Sequence, residues 1–268
     1  MENMEIVTQQ QTPSISLQQT FGQQGYVVIK NFFSPQEMAA LIEQIESPQS
    51  RQCLDQCLTK GTLRFYANLY RHNESIQKFV SQPKIVNFLY PFIGSDFWVR
   101  WDQAVAKGPG AKTFPWHQDN AYNGFKQTHY QLWVALTAMT IENGGLWLVP
   151  GSHHQLLPHR QVNNHMVYKG EPEAPTFITA EVGDIVLFSS LTLHKTTPNK
   201  TEGIRWAYVI EYMSTNDYDP GISPPFLKVA KQGQPHAEFV QSYRGRNPIN
   251  RLKHRLSRRE MSQILEWH

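Results

Sequence analysis

Six short apolar segments, separated by turns rich in glycine and proline, occupy the middle of the chain and constrain its fold more than any other feature. We predict them as β-strands over residues 97–101, 130–139, 146–149, 177–179, 185–188 and 204–213. The intervening segments contain Gly108-Pro109-Gly110, Asn143-Gly144-Gly145, Pro150-Gly151-Ser152 and Gly183-Asp184, which are typical of turns. Many short strands with few helices predict a mainly β chain with flanking helices, folded as a sandwich or a closed barrel.

Helices are predicted on both sides of the strand region. The segment Ser34-Pro35-Gln36-Glu37 has the pattern of a capping box with proline in the first turn, and apolar residues follow it at helical spacing. A second helix is predicted over residues 83–92, and Ser257 with Glu260 predicts a helix start near the C-terminal end. Residues 1–15 are polar without periodicity, so we expect a flexible tail there and a single domain over residues 16–268.

Composition narrows the class of protein. Hydrophobic residues make up 40% of the chain and charged residues 18%, which excludes a wholly disordered chain. No apolar run approaches the roughly 18 residues that a membrane span needs, and the first residues lack the pattern of a secretory signal. The two cysteines, Cys53 and Cys57, cannot form a disulfide scaffold. We therefore expect reduced thiols in a cytoplasmic protein with no membrane partner.

The net charge of +3 conceals an asymmetry along the chain. Residues 244–259 contain seven Lys and Arg and no acid, so the rest of the chain carries 18 basic and 22 acidic residues. Such a basic segment can bind nucleic acid, or it can be the solvated face of a helix. The segment contains no aromatic residue that would stack on bases. We therefore expect a basic C-terminal helical segment and no nucleic-acid partner.

One His-x-Asp pair suggests a metal site. If the backbone around it is extended, His117 and Asp119 lie on the same face and can bind one ion. The best third ligand is His194, which follows the predicted strand over residues 185–188. Two histidines and one carboxylate leave three positions of an octahedral ion open, which is the arrangement of non-heme iron(II) oxygenases. Zinc fits less well, because it favours four-coordinate sites of His and Cys.

Arg205 opens the apolar strand that follows His194. A buried arginine is costly unless it meets an anion, and its planar fork suits a carboxylate. Two interpretations stay open from these residues alone: Arg205 binds the carboxylate of a ligand, or it forms an internal ion pair with Asp or Glu.

Four motifs in this order resemble the phytanoyl-CoA dioxygenase family. They are Pro115-Trp116-His117-Gln118-Asp119-Asn120-Ala121-Tyr122, Trp133-Val134-Ala135-Leu136, Glu142-Asn143-Gly144-Gly145-Leu146 and Val149-Pro150-Gly151-Ser152-His153. The resemblance covers about residues 20–215. It implies a double-stranded β-helix, a jelly-roll or cupin-like barrel, and a dioxygenase that uses iron(II), 2-oxoglutarate and O2.

The resemblance also implies roles for individual residues. His117, Asp119 and His194 would bind the iron, and Arg205 would bind the distal carboxylate of 2-oxoglutarate. Thr196 would help to bind that carboxylate, Trp133 would border the cosubstrate, and Gln103 would face it from the preceding strand. Some family members have a lysine well upstream of the His-x-Asp pair, where this chain offers Arg64 and no lysine.

The expected reaction is hydroxylation of an unactivated carbon of a small metabolite, of the tailoring type found in secondary metabolism, with release of succinate and CO2. Tyr122, Phe125 and Trp116 are candidate substrate contacts because they are aromatic and follow or precede the metal ligands closely. Two alternatives remain: a hydroxylase of nucleic acid or protein that uses the basic segment, and a catalytically inactive binding barrel.

Overall fold

The structure is a computed structural model that describes residues 16–122, 127–217 and 219–242. The predicted N-terminal tail, Phe125, the basic segment 244–259 and the helix predicted after Ser257 lie outside the described residues.

Five α-helices lie within residues 16–93, the first stretch of the described chain. They are α1 (Leu17–Gln24), α2 (Pro35–Ile45), α3 (Pro48–Arg51), α4 (Glu74–Val80) and α5 (Pro83–Ile93). The predicted capping box begins α2: the Ser34 hydroxyl accepts from the Glu37 backbone N–H, and the Glu37 carboxylate accepts from the Ser34 backbone N–H. The helix predicted over residues 83–92 is α5. No helix among the described residues is long and apolar enough to span a membrane.

Fourteen strands are present in the described part of the chain. They are β1 (Tyr26–Ile29), β2 (Leu63–Ala67), β3 (Phe97–Lys107), β4 (Phe114–His117), β5 (Tyr130–Ala135), β6 (Leu146–Leu148), β7 (His159–Val162), β8 (His165–Tyr168), β9 (Thr176–Phe177), β10 (Ile185–Ser189), β11 (His194–Thr196), β12 (Arg205–Ser214), β13 (Phe226–Lys231) and β14 (Gln234–Val240). All six predicted strands are present. The first continues six residues further than predicted, to Lys107, and the second ends four residues earlier, at Ala135.

Two antiparallel sheets form the double-stranded β-helix that the sequence predicted. The larger sheet has the order β1-β10-β5-β12-β3-β13-β14, with β2 also paired to β3. The smaller sheet has the order β4-β11-β6-β9, and β7 pairs with β8 as a separate hairpin. Side chains of both sheets line one cavity, so the two sheets face each other across it.

The alternation along β12 shows how the core is divided. Trp206, Tyr208 and Ile210 belong to the apolar cluster that also contains buried residues of α2, α4 and α5. Ala207 and Val209 belong to the cluster between the sheets. Because successive side chains of a strand point to opposite faces, one face of the larger sheet is covered by helices and the other faces the cavity.

Candidate active site

The cavity between the sheets has a volume of about 380 Å³. Its larger-sheet wall is built from alternate residues of neighbouring strands. Gln103 and Trp133 lie directly opposite Val209 in the sheet, and all three line the cavity. The paired residues Lys107 and Arg205 lie at one end of this wall, and Glu211 lies at the other end.

Two histidines of the smaller sheet meet across a strand pair. His117 ends β4 and His194 begins β11, and the two residues are paired in register with their ring centroids 4.0 Å apart. Asp119 Oδ1 lies 3.7 Å from His117 Nε2 and 3.8 Å from His194 Nε2. The ligand atoms of the three residues lie within 4.8 Å of one another, so they can hold one metal ion.

Asp119 lies beside His117 for a different reason from the one that the sequence suggested. The sequence argument assumed an extended backbone through both residues, but β4 ends at His117 and Asp119 begins a short 3-10 turn. The backbone N–H of Asp119 donates to the carbonyl of Ser190, in the loop before β11. This contact with a distant segment fixes the turn, and local sequence does not reveal it.

Both histidines are oriented by backbone carbonyls. His117 Nδ1 donates to Pro115 O at 2.8 Å, and His194 Nδ1 donates to Thr192 O at 2.9 Å. Each ring therefore carries its proton on Nδ1 and presents the lone pair of Nε2 toward Asp119, as a metal ligand requires. Asp119 is held from its other side, because Gln131 Nε2 donates to Asp119 Oδ2 at 3.0 Å.

Burial keeps the two imidazoles neutral, which is the form that binds a metal ion. It lowers the pKa of His194 to about 4 and, together with His194, holds the pKa of His117 well below its usual range. Burial and the nearby Glu211 raise the pKa of Asp119 well above its usual range. A divalent cation at this point would relieve the carboxylate and accept the imidazole lone pairs, so the donor set fits a metal ion.

Arg205 lies in the same cavity and is 1% exposed. Its Nη2 donates to Gly144 O at 3.1 Å, and its guanidinium lies 5.4 Å from the centre of the Trp133 ring. Its Nε and Nη1 have no hydrogen-bond partner among the described residues. No Asp or Glu among the described residues forms an ion pair with Arg205, which removes the internal ion pair as an interpretation. The two free donors fit the carboxylate of a bound anion.

A family model described as phytanoyl-CoA dioxygenase (PhyH) matches residues 21–207. The chain belongs to this family. It is a non-heme iron dioxygenase that uses iron(II), 2-oxoglutarate and O2.

Individual relatives are similar over most of the chain. The ectoine dioxygenase of Bordetella bronchiseptica is 24% identical over 273 residues, which cover 88% of this chain and 85% of that protein. A probable alpha-ketoglutarate-dependent hypophosphite dioxygenase of Stutzerimonas stutzeri is 26% identical, covering 74% of this chain and 78% of that protein. The crystal structure of EvdO2 from Micromonospora carbonacea, complexed with 2-oxoglutarate, shares the fold with a TM-score of 0.60 at 21% identity, covering 79% of this chain and 94% of that one.

A lysine that the sequence analysis missed lies behind the Arg205 end of the cavity. Lys107 is fully buried, and its Nζ donates to Thr196 Oγ1 at 2.8 Å. Burial and the neighbouring Arg205 lower the pKa of Lys107 to about 7. Arg64, the upstream cation that the sequence offered, is not among the residues that line the cavity. Lys107 was missed because the strand predicted over residues 97–101 was too short to include it.

The three aromatic substrate candidates have different positions. Tyr122 lines the cavity, and its ring centroid lies 5.8 Å from that of His117. Trp116 does not line the cavity, and Lys195 Nζ lies 4.7 Å from the centre of its ring. Phe125 is outside the described residues.

A β-bulge explains why both end residues of β4, Phe114 and His117, face the cavity. His194 pairs with His117 and Thr196 pairs with Phe114, so three steps along β4 match two steps along β11. The extra residue breaks the alternation, and both Phe114 and His117 reach the cavity.

Sequence reasoning also missed a charged group at the far end of the cavity. Arg100 contacts the carboxylates of Glu211 and Asp219, and His129 Nε2 lies 3.4 Å from Glu211. Arg100 is the extra residue of a second bulge, since Glu211 pairs with Trp101 and Tyr212 with Val99. The sequence did carry a signal for this group, because Arg100 and Glu211 are charged residues inside predicted strands that are otherwise apolar.

Proposed function

We propose that this enzyme hydroxylates an unactivated carbon of a small metabolite, of the tailoring type, and releases succinate and CO2. The observation that carries the proposal is the placement of two complementary sites in one cavity. Two histidines and one carboxylate that can hold a metal ion share the cavity with a buried arginine that has two free donors.

In this proposal, His117 Nε2, His194 Nε2 and Asp119 Oδ1 bind iron(II). Iron(II), when bound with 2-oxoglutarate and O2, supplies the oxidation of a C–H bond. The protein holds the ligands in place through the carbonyls of Pro115 and Thr192, so that the imidazoles need no rearrangement before binding.

Arg205 and Thr196 bind the distal carboxylate of 2-oxoglutarate in this proposal. Arg205 offers Nε and Nη1, and the Thr196 hydroxyl, which accepts from Lys107, can donate its own proton to the carboxylate. Trp133 and Gln103 border the cosubstrate from the larger sheet, where they lie on either side of Val209.

The size of the cavity supports a small metabolite as substrate. A volume of about 380 Å³ lies near the lower end of the range of small-molecule sites, which is roughly 300–1,000 Å³. The names of the two relatives, an ectoine dioxygenase and a probable hypophosphite dioxygenase, also refer to small molecules. A macromolecule hydroxylase would need a surface that delivers the target, and the basic segment proposed for that role is outside the described residues.

We also propose a cytoplasmic location. Cys53 and Cys57 are both free thiols in the structure, as the sequence predicted, which suits a reducing compartment.

Turnover of 2-oxoglutarate against a metabolite library tests the proposal. The enzyme with iron(II), 2-oxoglutarate and O2 is expected to form succinate with at least one compound and to add one oxygen atom to it. The Asp119→Ala protein, which lacks the carboxylate ligand, is expected to do neither. A product that has lost two hydrogen atoms would contradict hydroxylation, and succinate formation that no compound stimulates would contradict a small-metabolite substrate.

A further inference from the structure

Three side chains form a row across the larger sheet at the end of the cavity away from Arg205. Glu211 on β12 lies directly opposite Trp101 on β3 and Gln131 on β5, and all three line the cavity. Arg205 and Glu211 share one face of β12 and are six residues apart, or about 20 Å along the strand. The same strand therefore presents a cation at one end of the cavity and a carboxylate at the other.

The carboxylate end carries more negative than positive charge. The Arg100 guanidinium contacts both Glu211 and Asp219, so one cation serves two carboxylates. Asp219 is 1% exposed and does not line the cavity, and its other oxygen accepts from the Gly221 backbone N–H. The two carboxylates therefore exceed the one guanidinium by one charge, and Glu211 is the carboxylate of the two that faces the cavity. Such a charge is costly in a buried site unless a cation joins it.

The neighbouring histidine does not supply that cation. His129 Nε2 lies 3.4 Å from Glu211, but burial and Arg100 hold the pKa of His129 well below its usual range, so the ring is neutral near pH 7. Among the described residues that line the cavity, the only cationic side chain besides Arg100 is Arg205, at the opposite end.

Gln131 adds an independent indication of a hydrogen-bond donor in the ligand. The residue is 2% exposed, its Nε2 donates to Asp119 Oδ2, and its Oε1 has no hydrogen-bond partner in the part of the chain that the structure describes. A buried carbonyl oxygen without a donor is unfavourable, and a ligand N–H would satisfy it. The row therefore offers a carboxylate, a carbonyl oxygen and an indole ring, all of which favour an ammonium group.

We propose that the row of Trp101, Glu211 and Gln131 binds a protonated amino group of the substrate, which makes the substrate a small primary or secondary amine. This inference rests on the proposed function. One oxygen atom of O2 enters a C–H bond of the amine as a hydroxyl group, and the other ends in succinate as 2-oxoglutarate loses CO2. The nitrogen is not oxidised. Because Gln131 also holds Asp119, the bound amino group lies close to the metal ligands.

Equilibrium binding without oxygen tests the proposal. The protein is loaded with iron(II) and 2-oxoglutarate, and calorimetry measures the binding of cyclohexylamine, benzylamine, putrescine and piperidine, each compared with its N-acetyl derivative. At least one amine is expected to bind, and its acetylation is expected to weaken binding at least about tenfold, because the charge and an N–H are lost. This comparison uses the unmodified protein and does not depend on the folding of a variant.

Variants of Glu211 test whether its carboxylate is the group that binds the amine. Glu211→Gln is expected to weaken binding of the amine at least about tenfold while changing the Kd of 2-oxoglutarate less than about twofold. Glu211→Asp keeps the carboxylate and is expected to retain part of the affinity. Glu238→Gln, the same substitution on β14 at an exposed residue paired with His236, is expected to have no effect.

Equal binding of amines and amides, absence of binding by every amine, or full amine affinity in Glu211→Gln would overturn the inference. Those results would leave the proposed function standing if 2-oxoglutarate still binds. Failure of the unmodified protein to bind 2-oxoglutarate would instead remove the proposed function and this inference with it.

Discussion

Arg205 is the residue that we propose to bind the distal carboxylate of 2-oxoglutarate. Its two free donors can form a forked pair with a carboxylate, whereas a lysine at the same position supplies charge without the fork. In Arg205→Lys we expect binding of 2-oxoglutarate to weaken by about 1.5–3 kcal/mol, or tenfold or more. Calorimetric titration with 2-oxoglutarate measures this change. An unchanged Kd would show that Arg205 has a structural role only.

We expect Lys107 to make the binding of 2-oxoglutarate depend on pH. Its pKa in the unliganded protein is about 7, so the ammonium loses its proton as the pH rises through neutrality. A dianion binds better to the protonated form, and binding therefore takes up protons. We expect the affinity for 2-oxoglutarate to fall between about pH 6 and about pH 9, within the range where this lysine titrates.

Substitution of the lysine checks the source of that pH dependence. Lys107→Met keeps an unbranched side chain and removes the charge, so the affinity is expected to be lower and nearly independent of pH. Lys200→Met, at an exposed lysine paired with Glu142, is expected to behave like the unmodified protein. A pH dependence that survives in Lys107→Met would assign it to another group.

At the scale of elements, the turn before β10 requires a glycine. Gly183 has φ +88°, and a Cβ there would lie 2.0 Å from the Phe33 carbonyl oxygen. We expect Gly183→Ala to reduce the free energy of unfolding by about 1–3 kcal/mol or more, measured by denaturant titration. Gly203→Ala is the matched control, since no atom of the described residues lies within 4 Å of the position that its Cβ would take. Equal stability of the two variants would contradict this account of the turn.

The sequence predicted the elements better than their irregularities. Alternation and turn residues located six of the fourteen described strands, and the capping box located α2. The bulges at Arg100 and in β4 depend on which residues the partner strand places opposite, so local sequence does not reveal them. These bulges turn Arg100 and Phe114 into the cavity, which is why part of its lining was missed.

The residues of the candidate site also divide into those that the sequence predicted and those that it did not. His117, Asp119, His194, Arg205 and Thr196 were each named from motif or resemblance, and all five line the cavity. Lys107, Gln131 and Glu211 were not named, because each is defined by its neighbours on adjacent strands rather than by a motif. Which residues face each other on adjacent strands is decided by the tertiary structure, and a single sequence does not reveal it.

At the scale of the whole molecule, the charge is divided between an acidic majority of the chain and the basic segment 244–259. If the seven bases of this segment bound phosphates, affinity would fall steeply with salt. We expect no binding to single- or double-stranded nucleic acid tighter than about 10 µM at physiological salt, which is the non-specific level. Fluorescence anisotropy at low and physiological salt measures this. Tighter binding that persists at physiological salt would favour the macromolecule hydroxylase.

The central claim is that His117, Asp119 and His194 bind a single iron(II) ion, and iron stoichiometry tests it most directly. The unmodified protein and His72→Ala, a control at an exposed histidine, are expected to bind one equivalent of iron(II) without oxygen. His194→Ala is expected to lose most of this binding and all succinate formation. One tightly bound equivalent of iron(II) with full succinate formation in His194→Ala would contradict the account.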